Sequence, residues 1–250
     1  MSGPNSGWAI GNSGVILRLD NGVWSPVASP TAQSIYAVAL SGASDGWAVG
    51  YNTILRLTGG VWSQVTGPST YGLNGIALSD AANGWAVGDY GYILRLSSGV
   101  WSRVTSPTSD ALYAVALSGP NDGWAVGSYY YQVTPILRLT GGVWSQATSP
   151  ATPYLNGIAL TGANDGWAVG GSDYYGTSSI LRLAGGNWIS APNAAPRALL
   201  DGALHGANAG WSVGYDNTIL RYCPQSGCGA APPPPTPTPT PTVTPAPVAG

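Results

Sequence analysis

Residues 46–62 read Gly-Trp-Ala-Val-Gly-Tyr-Asn-Thr-Ile-Leu-Arg-Leu-Thr-Gly-Gly-Val-Trp, and this pattern recurs at intervals of about 40 residues. Its Gly-Trp step occurs at Trp8, Trp47, Trp85, Trp124, Trp167 and Trp211. An Ile-Leu-Arg segment follows each one, with Arg18, Arg56, Arg95, Arg138, Arg182 and Arg221 in register. A Gly-containing turn and a second tryptophan then follow, at Trp24, Trp62, Trp101, Trp144 and Trp188. These two positions account for all 11 tryptophans, so the chain consists of copies of one structural unit.

Each copy is predicted to contain four short β-strands, which we name A, B, C and D in chain order. Strand B is the Gly-Trp segment, strand C the Ile-Leu-Arg segment and strand D the Val-Trp segment. Strand A is the apolar run before Gly-Trp, at residues 35–40, 73–78, 112–117, 155–160 and 199–204. A sheet that is apolar on both faces buries them by stacking against similar sheets around an axis. The sequence therefore predicts an all-β fold, a β-propeller of about six four-stranded blades. Five blades, or part of a seven-bladed ring, are the alternatives.

The two ends of the chain leave the repeat incomplete. The first copy begins at strand B, with Trp8, and the last stops after strand C, at Tyr222. The first blade should therefore lack its inner strand A, and the last blade its outer strand D. Residues 2–7 resemble the A-to-B turn at residues 118–123, which indicates a truncated start inside a repeat. A further D and A pair upstream would close a six-bladed ring without exposed strand edges.

Turn residues and arginines that recur in every copy are interpreted as structural. The A-to-B turns carry Asp-Gly or Asn-Gly pairs, which tolerate the positive φ of a tight hairpin, at residues 45–46, 83–84, 122–123 and 165–166. The in-register arginines are expected to bond turn carbonyls or an aspartate and to pack their stems on a tryptophan. A ring of anion-binding arginines is the less favoured alternative.

Composition excludes several classes of partner. Charged residues make up 7% of the chain, the net charge is −2, and Phe is absent, as are Lys and Glu. Because no basic stripe is present, nucleic acid is not an expected partner. No apolar run approaches the roughly 18 residues that span a membrane, and residues 1–8 lack the apolar core of a signal peptide. No cofactor and no membrane insertion are predicted.

The C-terminal part differs in character from the repeats. Cys223 and Cys228 bracket a short loop and are predicted to form a disulfide in an oxidising compartment. A zinc site is the alternative, but the single histidine, His205, cannot complete a four-ligand set, so no metal site is predicted. Residues 230–250 are rich in Pro and Thr, which is typical of an extended polyproline II linker or stalk.

This composition divides the chain into a propeller, residues 1–229, and a linker, residues 230–250. A stalk of this kind favours an extracellular or cell-surface protein that is tethered to another domain or to the cell surface. The alternative is that residues 230–250 are a disordered tail without a function.

Three motifs carry a resemblance to a known group of proteins. Residues 46–50, 54–57 and 59–62 resemble the repeats of photosystem II assembly factor-like propellers. They are more distantly similar to the Asp-box repeats of bacterial sialidases, to which residues 20–24, Asp-Asn-Gly-Val-Trp, come nearest although they are one residue shorter. The resemblance covers Gly7 to about Tyr222 and implies a bacterial, exported propeller. It implies no specific activity, because one fold hosts many functions.

The B-to-C loops vary in length and sequence, whereas the A-to-B and C-to-D turns are nearly uniform. In a propeller the B-to-C and D-to-A loops emerge on one face. Eight tyrosines fall in the B-to-C loops: Tyr51, Tyr90, Tyr129, Tyr130, Tyr131, Tyr174, Tyr175 and Tyr215. Tyr71 and Tyr154, in the D-to-A loops, should join the same face. Tyrosine gives a large amphipathic contact area at small entropic cost, and the neighbouring Asp89, Asp173 and Asp216 are suited to accept sugar hydroxyls.

We therefore predict a non-catalytic binding module that recognises a glycan or a protein through this tyrosine-rich face. Tyrosines that merely cover apolar blade edges are the alternative for these loops. A structural or assembly-factor-like scaffold is the second candidate function, since the blades are nearly identical. A glycoside hydrolase is less favoured, because such enzymes need two placed carboxylic groups and this chain has ten aspartates and no glutamate. The chain is not expected to be an enzyme.

Overall fold

A computed structural model describes residues 5–68, 71–128, 134–148, 150, 154–172, 176–192, 195–204 and 210–222. Blade 1 consists of β1 (Ser6–Ile10), β2 (Ile16–Asp20) and β3 (Val23–Val27). Blade 2 consists of β4 (Ile35–Gly42), β5 (Asp45–Gly50), β6 (Thr53–Thr58) and β7 (Val61–Gln64). Blade 3 consists of β8 (Leu73–Asp80), β9 (Asn83–Gly88), β10 (Ile93–Ser97) and β11 (Val100–Val104).

The remaining three blades follow the same scheme. Blade 4 consists of β12 (Ala111–Gly119), β13 (Asp122–Ser128), β14 (Ile136–Thr140) and β15 (Val143–Gln146). Blade 5 consists of β16 (Gly157–Gly162), β17 (Asp165–Ser172), β18 (Thr177–Ala184) and β19 (Asn187–Ser190). Blade 6 consists of β20 (Leu199–Leu204), β21 (Gly210–Gly214) and β22 (Ile219–Tyr222).

The strand order confirms the predicted architecture, a six-bladed β-propeller. Each sheet follows the order A-B-C-D with antiparallel neighbours; among the described residues the first sheet has strands B, C and D, and the last has strands A, B and C. The A strands of successive blades pack against one another and therefore lie innermost. Helical structure in the described residues is limited to two short 3-10 turns, Asn12–Gly14 and Asp89–Gly91. In the part of the chain that the structure describes, no helix has the length and apolar character of a membrane span.

Four interfaces between blades are filled by equivalent residues of the repeat. Between blades 3 and 4 the buried cluster consists of Trp85, Val87, Ile93, Leu112, Val115, Ala125, Leu137, Leu139 and Trp144. Similar clusters lie between blades 1 and 2, 2 and 3, and 4 and 5. Full burial of one such side chain stabilises the fold by about 1.5–3 kcal/mol. The stacked faces of the blades therefore form the core.

The two tryptophan positions of the repeat meet at these interfaces. The strand-B indole of one blade packs edge-to-face on the strand-D indole of the next, in the pairs Trp8–Trp62, Trp47–Trp101, Trp85–Trp144 and Trp124–Trp188. Their ring centroids lie 5.4 to 5.6 Å apart, at interplanar angles of 87 to 89°. Such pairs contribute about 0.5–1.5 kcal/mol beyond area burial. The N–H groups of these four strand-D indoles are buried, and none has a nitrogen or oxygen acceptor among the described residues.

The in-register arginines lie over the strand-B tryptophans, which confirms their structural interpretation. In all six blades the guanidinium carbon is 4.6 to 5.8 Å from the indole centroid. Arg56 also donates to the Gly46 carbonyl at 2.8 Å and pairs with Asp45 at 3.3 Å. Arg182 pairs with Asp165 at 2.8 Å. These contacts tie strand C to the A-to-B turn and engage the side chains within the blades.

The reason for glycine in the A-to-B segments differs from the predicted one. Gly46 has no positive φ; it lies in β5, where an added Cβ would meet the Ala39 carbonyl oxygen at 2.5 Å. Glycine is therefore needed for the close approach of strand A, not for the turn. Positive φ occurs instead in the two-residue C-to-D turns, as at Gly59 (59°) and Gly60 (84°), where both central residues of a tight hairpin require it.

Candidate functional site

Backbone hydrogen bonds place the B-to-C and D-to-A loops on one face, as predicted. The Tyr51 N–H donates to the Ser34 carbonyl at 2.9 Å, and the Asp89 N–H donates to the Gly72 carbonyl at 2.8 Å. In blade 6 the Tyr215 N–H makes the equivalent bond at 3.1 Å, to the residue before β20. Each bond joins the end of strand B to the start of strand A, so the two kinds of loop form a continuous surface. We call this surface the loop face.

Two B-to-C loops have the same backbone but display different side chains. The 3-10 turns of blades 1 and 3 both hold their central residue in the left-handed region, Ser13 at φ 54° and Tyr90 at φ 55°. Tyr92 occupies the position of Val15, directly after this turn. Since the loop folds in the same way with Ser13 and Val15, it does not need tyrosine at either place. A bulky side chain at positive φ is strained, so Tyr90 is held there against its own backbone preference.

A cluster of aromatic rings lies on the loop face at blade 3. The rings of Tyr71 and Tyr90 are 5.1 Å apart at 68°, and those of Tyr71 and Tyr92 are 5.2 Å apart at 84°. The Arg103 guanidinium lies 3.9 Å from the Tyr92 centroid and donates to its hydroxyl at 3.1 Å. Tyr71 is 54% exposed and Tyr90 is 67% exposed. We call these four residues the tyrosine cluster.

A groove of about 520 Å³ adjoins the tyrosine cluster. It is lined by Tyr90, Gly91, Arg103, Val104, Thr105, Ser106, Thr108 and Ser109. This lining combines one aromatic ring, one cation and several hydroxyl groups, and Thr108 is held by a hydrogen bond to Asp110 at 2.8 Å. The groove is large enough for a sugar ring or for a short stretch of peptide.

The other predicted site residues fall into three groups. Tyr51 and Tyr215, 55% and 45% exposed, lie on the loop face as expected. Asp89 accepts a hydrogen bond from the Asn74 amide at 2.9 Å and Asp216 pairs with Arg197 at 3.0 Å, so both carboxylates are engaged within the protein. Tyr154 is described and forms a β-bridge with Ser128, at the end of strand B. Eight further predicted residues lie outside the described part of the chain: Tyr129, Tyr130, Tyr131, Asp173, Tyr174, Tyr175, Cys223 and Cys228.

Sequence reasoning did not single out Tyr92 and Arg103. Arg103 is one of two arginines outside the repeat register, the other being Arg197. That departure from register was an available signal, because a residue that the blade does not need is free to serve another purpose. Tyr71, by contrast, lies where the loop order predicts it.

Two carboxyl groups have shifted pKa values. Hydrogen bonds from the Ala82 N–H, at 2.8 Å, and from the Asn83 side chain lower the pKa of Asp80 below its usual 3.8. Burial raises the pKa of Asp201, in β20, above 3.8, against a bond from the Gly202 N–H at 2.7 Å. Neither group belongs to the tyrosine cluster. Within the described ranges, His, Cys, Asp and Glu side chains do not gather in threes that would hold a metal ion.

No protein-family model and no curated protein matches this sequence. Solved structures do match. YCF48 bound to a D1 peptide is 15% identical, with a TM-score of 0.59 over 88% of this chain and 67% of that chain. YCF48 from Cyanidioschyzon merolae is 15% identical, with a TM-score of 0.58 over 89% and 93%. Inactive virginiamycin B lyase from Staphylococcus aureus, with quinupristin, is 18% identical, with a TM-score of 0.64 over 90% and 87%. The chain is thus similar in fold to a photosystem II assembly factor and to a lyase, both β-propellers.

Proposed function

We propose that this protein is a non-catalytic binding module that recognises a protein or a glycan through its loop face. The observation that carries the proposal is the tyrosine cluster, in which Tyr71 and Tyr90 are more than half exposed beside a groove. Exposed tyrosines on a rigid frame contribute contact area with little loss of side-chain entropy. The loop of blade 1 folds the same way without them, which favours recognition over blade covering.

Two ligand classes suit this surface. A protein segment is supported by the likeness in fold to YCF48, whose structure holds a D1 peptide. A glycan is supported by the chemistry of the groove, because sugar rings stack on aromatic faces and their hydroxyls bond Arg103 and the neighbouring Ser and Thr hydroxyls. Both classes use the same residues, so one set of variants tests the site for either ligand.

The deciding experiment compares wild type, Tyr90→Ser and Val100→Ser on a glycan array and a peptide array. Val100 is 68% exposed, like Tyr90 at 67%, but adjoins the C-to-D turn on the opposite face, so it is a matched control. We expect Tyr90→Ser to lose binding by about ten-fold or more, as for an interface hot spot. Val100→Ser should bind as wild type does. Equal binding by all three proteins would show that the ligand uses another surface.

A structural scaffold is the second candidate function. Four of the interfaces between blades repeat the same tryptophan pair, which is what an architectural spacer requires. If wild type binds nothing on either array, this candidate takes precedence. The likeness to virginiamycin B lyase is tested separately, by incubation with quinupristin and with a panel of glycosides. Turnover of either would overturn the non-catalytic assignment.

We further infer that the protein acts outside the cell or at its surface, tethered through residues 230–250 to another domain or to the cell surface. The Pro- and Thr-rich composition of this segment supports the inference, since such sequences act as semi-rigid spacers. Cys223 and Cys228, predicted as a disulfide, suit an oxidising compartment. Thiol titration of protein isolated from its native compartment tests the pairing, and two free thiols would contradict it.

A further inference from the structure

A second groove lies on the loop face, in blade 2. Its volume is about 460 Å³, close to the 520 Å³ of the groove beside the tyrosine cluster in blade 3. It is lined by Asn52, Thr53, Ile54, Gln64, Val65, Thr66, Gly67 and Pro68. We call these two surfaces the blade-2 groove and the blade-3 groove. None of the residues that line the blade-2 groove belongs to the predicted site, so this groove is a further candidate.

The two grooves occupy the same place in the repeat. Arg103, in β11, lies opposite Leu94. Gln64, in β7, lies opposite the equivalent leucine of β6. The other wall is also equivalent, because Asn52 and Tyr90 are left-handed residues of their B-to-C loops, with φ of 49° and 55°. Blade 2 therefore repeats the blade-3 groove with different side chains.

A row of exposed tyrosines connects the two grooves. Tyr51 precedes Asn52 of the blade-2 groove and forms an antiparallel backbone bridge with Gly72. Gly72 follows Tyr71 in the chain, and the Tyr71 ring lies 5.1 Å from that of Tyr90 in the blade-3 groove. Tyr51, Tyr71 and Tyr90 are 55%, 54% and 67% exposed. These three side chains thus follow one another from blade 2 to blade 3.

The row does not continue into the loop that enters blade 4. Leu73 and Leu112 are equivalent, since each pairs with the final glycine of a Gly-Trp-Ala-Val-Gly strand. Two residues earlier, Tyr71 enters blade 3, whereas Asp110 enters blade 4. Asp110 is engaged by a hydrogen bond from Thr108 at 2.8 Å. Among the described residues, this path of exposed rings therefore joins blades 2 and 3.

The side chains that line the two grooves suit sugars better than apolar peptide side chains. Most of them carry a hydroxyl or an amide group, whereas pockets for apolar anchors are lined predominantly by hydrophobic side chains. Among the described residues that line the grooves, Arg103 in blade 3 is the one charged side chain. A glycan with a negative charge on each sugar would meet a cation in one groove alone, so a neutral glycan fits both grooves better.

We propose that the loop face binds a neutral linear glycan of the cellulose type, which lies across blades 2 and 3. This inference rests on the proposed binding function and names its ligand class. In such a glycan the linkages and the ring substituents are equatorial, so the chain is extended and each sugar has two apolar C–H faces. These faces stack on Tyr51, Tyr71 and Tyr90, and the hydroxyls at the ring edges bond the polar side chains of both grooves.

The test is isothermal titration calorimetry of the full-length protein with cellobiose, cellotriose, cellotetraose and cellohexaose. A chain that reaches both grooves gains affinity because its second contact is intramolecular. We therefore expect cellohexaose to bind at least about ten-fold more tightly than cellobiose. Gln64→Ala and Tyr51→Ser should each reduce this gain. Gln146→Ala is the matched control, since Gln146 is exposed and occupies the position of Gln64 in blade 4, opposite Leu137; it should bind every oligosaccharide as wild type does.

Three results would each overturn this inference: no binding of cellohexaose up to about 1 mM, a gain with chain length below about ten-fold, or equal losses for Gln146→Ala and Gln64→Ala. The substituted side chains are exposed, and an unchanged melting temperature shows that each variant is folded. Failure here is distinguishable from failure of the proposed function. A peptide or another glycan that wild type binds on the arrays and Tyr90→Ser loses would keep the loop face as a binding site without this ligand.

Discussion

Trp101→Ala tests the stacking of blades that the whole fold depends on. Trp101 is 6% exposed and lies edge-to-face on Trp47 at 5.6 Å. Replacing a buried tryptophan by alanine costs about 3–5 kcal/mol, because apolar contacts are lost and a cavity remains. For a chain of this size each kcal/mol lowers the melting temperature by about 2–4 °C. We therefore expect Tm to fall by roughly 6–20 °C.

Trp24→Ala is the matched control for this substitution. Trp24 occupies the same repeat position in blade 1, but it is 45% exposed and has no ring partner among the described residues. Its replacement should cost about 1 kcal/mol or less, since half of its surface already faces water. Urea unfolding and calorimetry on wild type and both variants give the free energies of unfolding. Equal losses for Trp24→Ala and Trp101→Ala would refute the argument that burial between blades holds the fold.

Four further predictions concern single residues. Gly46→Ala should lower the free energy of unfolding by about 1–3 kcal/mol, because its Cβ would meet a strand-A carbonyl oxygen. Gly42→Ala is the control and should leave this free energy unchanged, since nothing lies within 4 Å of its Cβ. Urea unfolding measures both. Tyr90→Asn should raise the free energy of unfolding by up to about 1 kcal/mol, since asparagine tolerates positive φ. The same substitution should remove ligand binding. A variant less stable than wild type would contradict the inference that the Tyr90 backbone is strained. NMR titration of the side-chain carboxyl carbons should place the pKa of Asp80 below 3.8, so that its contribution to stability is lost as pH falls through that pKa. The same titration should place the pKa of Asp201 above 3.8, so that ionisation of this carboxyl destabilises the fold as pH rises. Asp201→Asn should therefore be more stable than wild type at neutral pH, but not below pH 3.8.

The fold was predictable because each copy of the repeat carries the residues that make the same contact between blades. A period of about 40 residues with two tryptophans and one arginine indicates blades that bury one another, and the structure pairs those tryptophans and places those arginines over them. The loop face was predictable for a related reason, since alternating strand directions decide which loops emerge together. Tyr71, Tyr51 and Tyr215 lie where this rule places them.

The role of glycine in the A-to-B segments was not predictable from the dipeptide alone. Asp-Gly and Asn-Gly are typical of tight turns with positive φ, but Gly46 belongs to a strand and is required by its neighbour Ala39. The distance between two backbones is a property of the packed sheet. For the same reason the sequence could not show that Arg103 lies against Tyr92, because their contact depends on how β10 and β11 pair.

The sequence by itself determined the repeating unit and the order of its four strands, because these follow from periodic apolar patterns that any stacked arrangement must satisfy. Only the tertiary structure decided which side chains meet where the repeat is broken: Tyr71 with Tyr90 on the loop face, and Tyr222 with Trp167 between blades 5 and 6. These contacts join residues that are distant in sequence, and each occurs once. The periodic pattern of the sequence therefore does not predict them. They exist because the stacked blades hold these loops and strands in fixed positions.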